Sequence, residues 1–182
     1  MARAAASQDS GLLDRLISDR ADERQQAITE ALQLEPATRD RTIERLVARF
    51  SSKGLESYFA ALSLGAFGEP AVAPLISAIQ SPNSQERYGA SEVLGRIGVP
   101  ALKPLIDVLG NRSQDVRCAA AHALAVIGPG ATVATPKLIR LLSTNSPDLT
   151  RCVLDALGHI GSPEALRALR AELKVEAFQG KH

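Results

Sequence analysis

Side chains suited to catalysis or metal binding are few in this sequence. Its 182 residues include three histidines, two cysteines and no tryptophan. The histidines are His122, His159 and His182, and none stands four residues from another or next to a glutamate. Cys118 lies one helical turn before His122, but two ligands are too few for a zinc site. We therefore predict no metal, no cofactor and no catalytic residue, and we favour a non-enzymatic role over an enzymatic one.

Motifs of nucleotide-binding and hydrolytic enzymes are also missing. The sequence contains no Gly-x-Gly-x-x-Gly, Walker or Gly-x-Ser-x-Gly pattern. Cys118 and Cys152 are the only cysteines, and they occupy neighbouring rather than equivalent positions of the repeats described next. We predict two separate, small, buried or half-buried thiols in a reducing compartment rather than a disulfide.

A repeated helical unit must position these residues. Three similar segments end in Gly98, Gly128 and Gly161, and a more divergent one ends in Gly68. These closing glycines are 30, 30 and 33 residues apart. Periods in this range indicate a solenoid, in which a helix pair buries its apolar face only against a neighbouring pair.

Each unit is predicted to hold two helices. The first begins near a proline (Pro74, Pro104 or Pro136), and a polar turn leads to a second helix that ends at the closing glycine. We predict one domain over residues 10–176, with divergent repeats 10–34 and 36–68, regular repeats 70–98, 99–128 and 129–161, and a capping helix 163–176. Residues 1–9 and 177–182 are predicted to be flexible tails.

Composition sets limits on the class of partner. The chain has 21 basic and 20 acidic residues, a formal net charge of +1, which gives no global attraction to nucleic acid or to an anionic membrane. No apolar run in the sequence approaches the ~20 residues of a membrane span, and the alanine-rich start lacks a signal-type apolar region. We predict a cytoplasmic, soluble protein without membrane insertion.

The second helices resemble a known family. Residues 115–128 read Asp-Val-Arg-Cys-Ala-Ala-Ala-His-Ala-Leu-Ala-Val-Ile-Gly, which is similar to a HEAT repeat and, more narrowly, to the roughly 30-residue HEAT-like units of phycobilisome lyases. The resemblance implies an all-α, right-handed α-α superhelix of the HEAT-like and armadillo type, with about five helix pairs plus a C-terminal capping helix. The iron-binding His-Glu dipeptides of HEAT-type deoxyhypusine hydroxylases are absent from the sequence.

Counting back from the closing glycine separates a core stripe from a free stripe on each second helix. The residues four, eight and one before the glycine are aliphatic and are predicted to form the core: Leu94, Leu124, Leu157, Ala90, Ala120, Val153, Ile97, Ile127 and Ile160. The residues ten, six and two before it vary in chemistry. In a HEAT-like superhelix this stripe lines the concave side, so we predict a partner-binding groove of Tyr58, Leu62, Tyr88, Glu92, Arg96, Cys118, His122, Arg151, Asp155 and His159.

One arginine position has a different interpretation. Arg87 and Arg117 share a place in the repeat, and Asp115 lies two residues before Arg117. Such residues pair between adjacent units in related repeats, so the resemblance implies a structural, inter-repeat role for all three. Exposed ion pairs of this kind each stabilise a fold only slightly.

The groove suggests protein recognition. A mixed strip with two tyrosines and an arginine is typical of protein interfaces, so we predict a non-enzymatic scaffold or adaptor that binds another protein. The alternative, implied by the resemblance alone, is a subunit or chaperone of a phycobilin lyase, or another phycobilisome-handling factor, whose groove holds a phycobiliprotein or bilin. Nucleic acid is not expected, because Glu92 and Asp155 lie on the groove face and tryptophan is missing.

Overall fold

A computed structural model of the protein describes residues 11–51, 54–144 and 146–179. Within these ranges the chain forms α-helices joined by turns and short 3-10 helices, without a β-strand. It divides into two compact units, Met1–Ile97 and Gly98–His182. The all-α helical-repeat fold predicted from the sequence is confirmed.

The first unit contains six helices within its described residues. They are α1 (11–16), α2 (Ala21–Leu32), α3 (Pro36–Val47), α4 (Leu55–Phe67), α5 (Val72–Ala78) and α6 (Ser84–Ile97), with 3-10 helices at Ala48–Ser51 and Glu69–Ala71. Helix α4 packs against α2, α3 and α6, and α5 packs against α3 and α6. The buried hydroxyl of Ser63 donates to the carbonyl of Leu16 at 2.6 Å and so gives a partner to a buried carbonyl at the end of α1.

The second unit repeats the helix pairs and adds a final helix. Its helices are α7 (Leu102–Val108), α8 (Gln114–Ile127), α9 (Thr135–Leu142), α10 (Pro147–Ile160) and α11 (Pro163–Gln179), with 3-10 helices at Val99–Ala101 and Gly128–Ala134. Helix α8 packs along α10, and α10 also contacts α9 and α11. The Ser162 hydroxyl accepts a hydrogen bond from the N–H of Ala165 at 3.1 Å and so caps the start of α11.

The closing glycines end their helices as predicted, with a difference in geometry. All four have a positive φ, between 64° and 79°: Gly68, Gly98, Gly128 and Gly161. Only Gly161 has the left-handed helical ψ, 12°. The other three have ψ between −134° and −128°, because the chain continues at once into a 3-10 helix. Residues with a side chain rarely adopt this conformation.

The second helices begin with different capping contacts. Ser84 is the first residue of α6, and the side chain of Asn83 accepts from the N–H of Gln85 at 2.9 Å. At α10 the cap is Ser146, whose hydroxyl accepts from the N–H of Leu149 at 3.3 Å. Ser113 occupies the capping position of α8 without a side-chain cap bond.

The predicted core stripe is largely confirmed. Six of its members have no exposed surface: Ala90, Leu94, Ala120, Leu124, Val153 and Leu157. Ile160 is 2% exposed, whereas Ile97 and Ile127 are half-buried. All three isoleucines stand at the last position of their helices, so this position is fully covered in only one of the three repeats.

The C-terminal helix is longer than the predicted 163–176. Helix α11 continues to Gln179, since no glycine or proline interrupts it before Gly180. The predicted tail 177–182 therefore begins inside this helix, and residues 180–182, including His182, lie outside the described residues. The predicted N-terminal tail, residues 1–9, also lies outside them. The repeat boundaries stay a prediction.

Replacing Leu124 by alanine tests the repeat register. Leu124 is fully buried in α8, so the truncation should lower the free energy of unfolding by about 2–5 kcal/mol. The control is Val126→Ala on the same helix, where the native side chain is 37% exposed and the loss should be small. Urea unfolding followed by circular dichroism measures both. Equal losses in the two variants would show that the register is wrong.

Candidate functional site

The first unit has an open cleft between α4 and α6. Its volume is about 780 Å³. The lining comes from α4, α6 and the segment between α3 and α4: Phe50, Gly54, Ser57, Tyr58, Ala61, Ser84, Gln85, Tyr88, Gly89, Glu92 and Arg96. Every one of these residues belongs to Met1–Ile97, so the cleft lies within one compact unit.

Aromatic side chains converge on this cleft. The chain has only four phenylalanines and two tyrosines, and both tyrosines and Phe50 line it. Tyr58 and Tyr88 are 54% and 62% exposed, whereas Phe50 is 2% exposed. The tyrosines thus offer apolar rings with polar hydroxyl groups to a partner, and Phe50 forms part of the buried base.

A second aromatic contact supports Tyr58 from its own helix. Its ring meets the ring of Phe59 edge to face, with centroids 5.5 Å apart. The guanidinium of Arg24 lies 4.7 Å from the centroid of Phe59, a cation–π contact from α2. Phe59 is thus held between Arg24 and Tyr58, and its ring supports one edge of the Tyr58 ring.

Gly89 makes room for the Phe50 ring. A Cβ atom at this position would lie 3.0 Å from Cγ of Phe50, closer than side chains normally approach. Glycine inside a helix costs roughly 1 kcal/mol relative to alanine. Neither residue was predicted as part of a site from the sequence, although a glycine in the middle of the predicted second helix was the available signal.

One ion pair completes the lining. The carboxylate of Glu92 and the guanidinium of Arg96 are 3.3 Å apart, and their side chains are 30% and 47% exposed. Among the described residues of the lining they are the only charged ones, and their formal charges cancel. Of the predicted groove residues of this unit, the cleft brings together Tyr58, Tyr88, Glu92 and Arg96. Leu62 is half-buried and is not part of the lining.

In the second unit the predicted groove residues lie on α8 and α10. Arg151 is exposed and pairs with Asp148 on its own helix at 3.3 Å. Nδ1 of His159 is 2.9 Å from the carbonyl oxygen of Asp155 and 3.5 Å from its carboxylate. His122 and Cys118 are half-buried on α8. This part of the stripe is polar and its exposed members contact their own helix.

Cys118 and Cys152 do not remain separate thiols, so that prediction is wrong. They form a disulfide between α8 and α10, with Cα atoms 5.5 Å apart and a sequence separation of 34. The error came from comparing the cysteines along the chain. Because α8 and α10 pack side by side, the residue ten before Gly128 lies beside the residue nine before Gly161.

Arg87 and Arg117 contact the turn of their own repeat. Arg87 donates from Nη1 to the carbonyls of Ser81 and Pro82 at 2.8 and 2.9 Å. Arg117 donates to the carbonyl of Asn111 at 3.0 Å. Both bonds reach six residues back, to the turn between the two helices of the repeat. The implied pairing with Asp115 across repeats stays a prediction.

A third arginine makes the same bond. Arg24 donates from Nη1 to the carbonyl of Ser18, also six residues earlier, at 2.6 Å. Ser18 additionally donates to Glu23 at 2.8 Å, as Ser81 donates to Glu86 at 2.7 Å. The first, divergent repeat therefore has the same turn contacts as the repeat that ends at Gly98. The Ser-x-x-x-x-Glu-Arg spacing that these two repeats share was the sequence signal for this turn.

One helical stretch is long and apolar enough to cross a membrane. Gln114–Leu142 meets the length and hydropathy criteria, and half of its most apolar window is buried inside the fold. The stretch consists of α8, a 3-10 helix and α9, and it supplies the fully buried residues Leu124 and Leu138. The high hydropathy of this stretch comes in part from residues that the helical repeats bury in their core. Within the described residues, no group of three or more His, Cys, Asp or Glu residues is placed to hold a metal ion.

Comparison with protein families decides the kind of repeat. A model of HEAT repeats matches residues 43–125 and 102–177, which together span most of the 182 residues. The chain belongs to the HEAT-repeat family. No curated protein matches this sequence.

One solved structure shares the fold of this HEAT-repeat protein, and designed repeat proteins are more distantly similar. The complex of CpcE and CpcF of phycocyanin lyase from Nostoc sp. PCC7120 is similar over 74% of this chain and 87% of that chain, with 22% identity and a TM-score of 0.55. Two designed armadillo repeat proteins, one in complex with the peptide (KR)4 and one for modular peptide recognition, have TM-scores of 0.45 and 0.44. Each is 18% identical and covers 93% of this chain and 90% of its own.

Gly89→Ala tests the packing of the cleft base. The new methyl group would press on the Phe50 ring, so we expect a net loss of about 1–3 kcal/mol in unfolding free energy and a narrower cleft. Gly65→Ala on α4 is the control, because no atom lies within 4 Å of its Cβ position. Helix propensity should make that variant more stable by about 0.5–1 kcal/mol. Urea unfolding compares them, and a gain of stability in both would contradict the contact.

Arg87→Ala tests the bond to the interhelical turn. It removes two charge-assisted hydrogen bonds to backbone carbonyls, and we expect unfolding to become easier by about 1–3 kcal/mol. Arg151→Ala is the matched control, since its side chain is 80% exposed and should contribute less than about 0.5 kcal/mol. Thermal unfolding by circular dichroism measures the difference. Indistinguishable melting curves would assign Arg87 no role in the turn.

Proposed function

We propose that this HEAT-repeat protein is a non-enzymatic, soluble cytoplasmic scaffold that binds a segment of another protein in the cleft between α4 and α6. The observation that carries the proposal is the convergence of Phe50, Tyr58 and Tyr88 on one cleft in a chain with so few aromatic residues. Extended surfaces of stacked helical repeats are commonly binding surfaces. The residues of the second unit form a separate face in this proposal: Cys118, His122, Arg151, Asp155 and His159.

Tyrosine suits this role for a physical reason. Each ring offers a large apolar area at a low cost in conformational entropy, and its hydroxyl group remains able to bond to water or to a partner's backbone. Tyr58 and Tyr88 expose more than half of their surface, so a partner can bury a substantial area on them. Tyrosine and arginine are also enriched among residues that contribute most to binding free energy.

The charge of the lining predicts a particular salt dependence. Glu92 and Arg96 balance each other, so binding depends mainly on shape and apolar contact. Screening by salt weakens long-range attraction between net charges. We therefore expect the affinity to change little with ionic strength, and we expect the ion pair to orient the segment rather than to attract it.

One observation also favours the alternative. A cleft of about 780 Å³ lies within the ~300–1,000 Å³ of small-molecule sites, and aromatic rings are suitable walls for a conjugated ligand. A subunit or chaperone of a phycobilin lyase, or a phycobilisome-handling factor, would hold a bilin or a phycobiliprotein segment there. The likeness to phycocyanin lyase supports a common fold, and function transfers poorly with fold alone.

Replacing both tyrosines tests the cleft. Tyr58→Ala with Tyr88→Ala should leave the melting temperature nearly unchanged, because both side chains are exposed, and should weaken binding about 30-fold or more. Leu55→Ala is the control, since Leu55 is 69% exposed near the cleft but does not line it. Capture from an extract of the source cells, quantified by mass spectrometry, identifies proteins retained by the wild type and the control but lost from the double variant.

Nitration with tetranitromethane then locates the partner. The only two tyrosines of the chain line the cleft, so a purified partner bound there should protect both from nitration. Binding without protection would place the partner elsewhere, and Arg151→Ala with His159→Ala would then test the second unit. A shift in the visible absorbance of added bilin, lost in the tyrosine variant, would support the alternative.

A further inference from the structure

We propose that Cys118 and Cys152 are a reversible thiol–disulfide site that joins the second helices of two consecutive repeats and exchanges with low-molecular-weight thiols of the glutathione class. The proposal does not depend on what the cleft binds. It also reconciles a disulfide with the cytoplasmic location proposed above, where permanent disulfides are rare and redox-responsive ones occur.

The helices hold the two cysteines ready to react. Their Cα atoms are 5.5 Å apart, within the roughly 4.4–6.8 Å of protein disulfides, although their sequence separation is 34. Each residue is on a regular helix, Cys118 on α8 and Cys152 on α10, and these helices pack along each other. The bond can therefore form or break without rearranging the backbone.

Both cysteines are accessible enough to exchange. They are half-buried, and the side chain of Arg151, the residue before Cys152, is 80% exposed. Thiol–disulfide exchange requires an attacking thiolate to reach one sulfur atom, which a fully buried disulfide prevents. The unit also has a core that does not include the cysteines: Leu105, Leu124, Leu138, Leu149 and Leu157 are all fully buried. We therefore expect the reduced unit to stay folded.

The position of the bond in the repeat suggests its consequence. Cys118 stands ten residues before its closing glycine, and Cys152 stands nine before the next one. In the first unit the same two places are taken by Tyr58 and Gly89, which line the open cleft. The disulfide thus links α8 and α10 at the place where α4 and α6 leave a cleft. Its reduction removes the covalent link between α8 and α10 and leaves two thiols at this place.

The exchange is balanced with glutathione disulfide as the oxidant. One cysteine thiolate attacks a sulfur of glutathione disulfide, forming a mixed disulfide and releasing one glutathione thiolate. The second cysteine thiolate then attacks the cysteine sulfur of the mixed disulfide. This step forms the Cys118–Cys152 bond and releases the second glutathione as a thiolate. Two electrons pass from the protein to glutathione, and the two protons leave the protein thiols for the glutathione thiolates.

A redox titration of the full chain tests the proposal. The protein is equilibrated at a series of reduced-to-oxidised glutathione ratios, quenched with acid and alkylated with N-ethylmaleimide, and intact masses are measured. We expect the disulfide form, which N-ethylmaleimide does not alkylate, to appear in one transition as the share of oxidised glutathione rises. It should disappear when reduced glutathione is restored. The oxidised protein should melt on the order of 5–15 °C above the reduced one.

Serine variants supply the controls. Cys118→Ser and Cys152→Ser should each form no internal bond, and the double variant should melt like the reduced wild type at every ratio. If the disulfide persists in the most reducing buffer, the link is permanent and the proposed reversibility is wrong. Separate glutathione adducts without an internal bond, or loss of helical circular dichroism on reduction, would overturn the site itself.

Discussion

Close packing between the second helices within each unit, α4 with α6 and α8 with α10, is the constraint on which the fold and its candidate sites depend. Small residues make this approach possible, since Ala60 on α4, Ala90 on α6 and Ala120 on α8 have no exposed surface. Because the core stripe of each second helix makes this contact, the free stripe is not needed for packing and its residues can vary. Two chemistries result at one repeat position: a tyrosine beside a glycine in the first unit, and a cysteine pair in the second.

Hydrogen bonds at the turns complement this packing. Arg24, Arg87 and Arg117 each reach back to a backbone carbonyl in the turn that joins the two helices of a repeat. A charged donor satisfies carbonyls that a helix end leaves without a partner, and it fixes how the second helix leaves the turn. Apolar contact holds helices of one unit together, while these polar contacts set their direction.

Local patterns allowed much of the fold to be predicted from the sequence. The closing glycines marked the ends of α4, α6, α8 and α10, and aliphatic spacing identified Leu94, Leu124 and Leu157 as core. Contacts between helices were harder to predict, because they depend on how two neighbouring helices are aligned along each other and not on residue spacing within one helix. Aligning repeats shows which residues are equivalent, but the disulfide and the Phe50–Gly89 contact join residues that are not. The tyrosines of the cleft were predicted as part of a groove, and the structure places them in one unit.

The cysteine pair has a consequence for how this chain can evolve. Repeat proteins grow and shrink by duplication or loss of whole units, and the positive-φ glycines make suitable joints for such events because each unit ends in a similar way. A copy inserted between α8 and α10 would move Cys118 and Cys152 onto helices that are no longer neighbours. If the bond is under selection, the order and number of repeats at this end of the chain are fixed, while the other repeats stay free to vary in number.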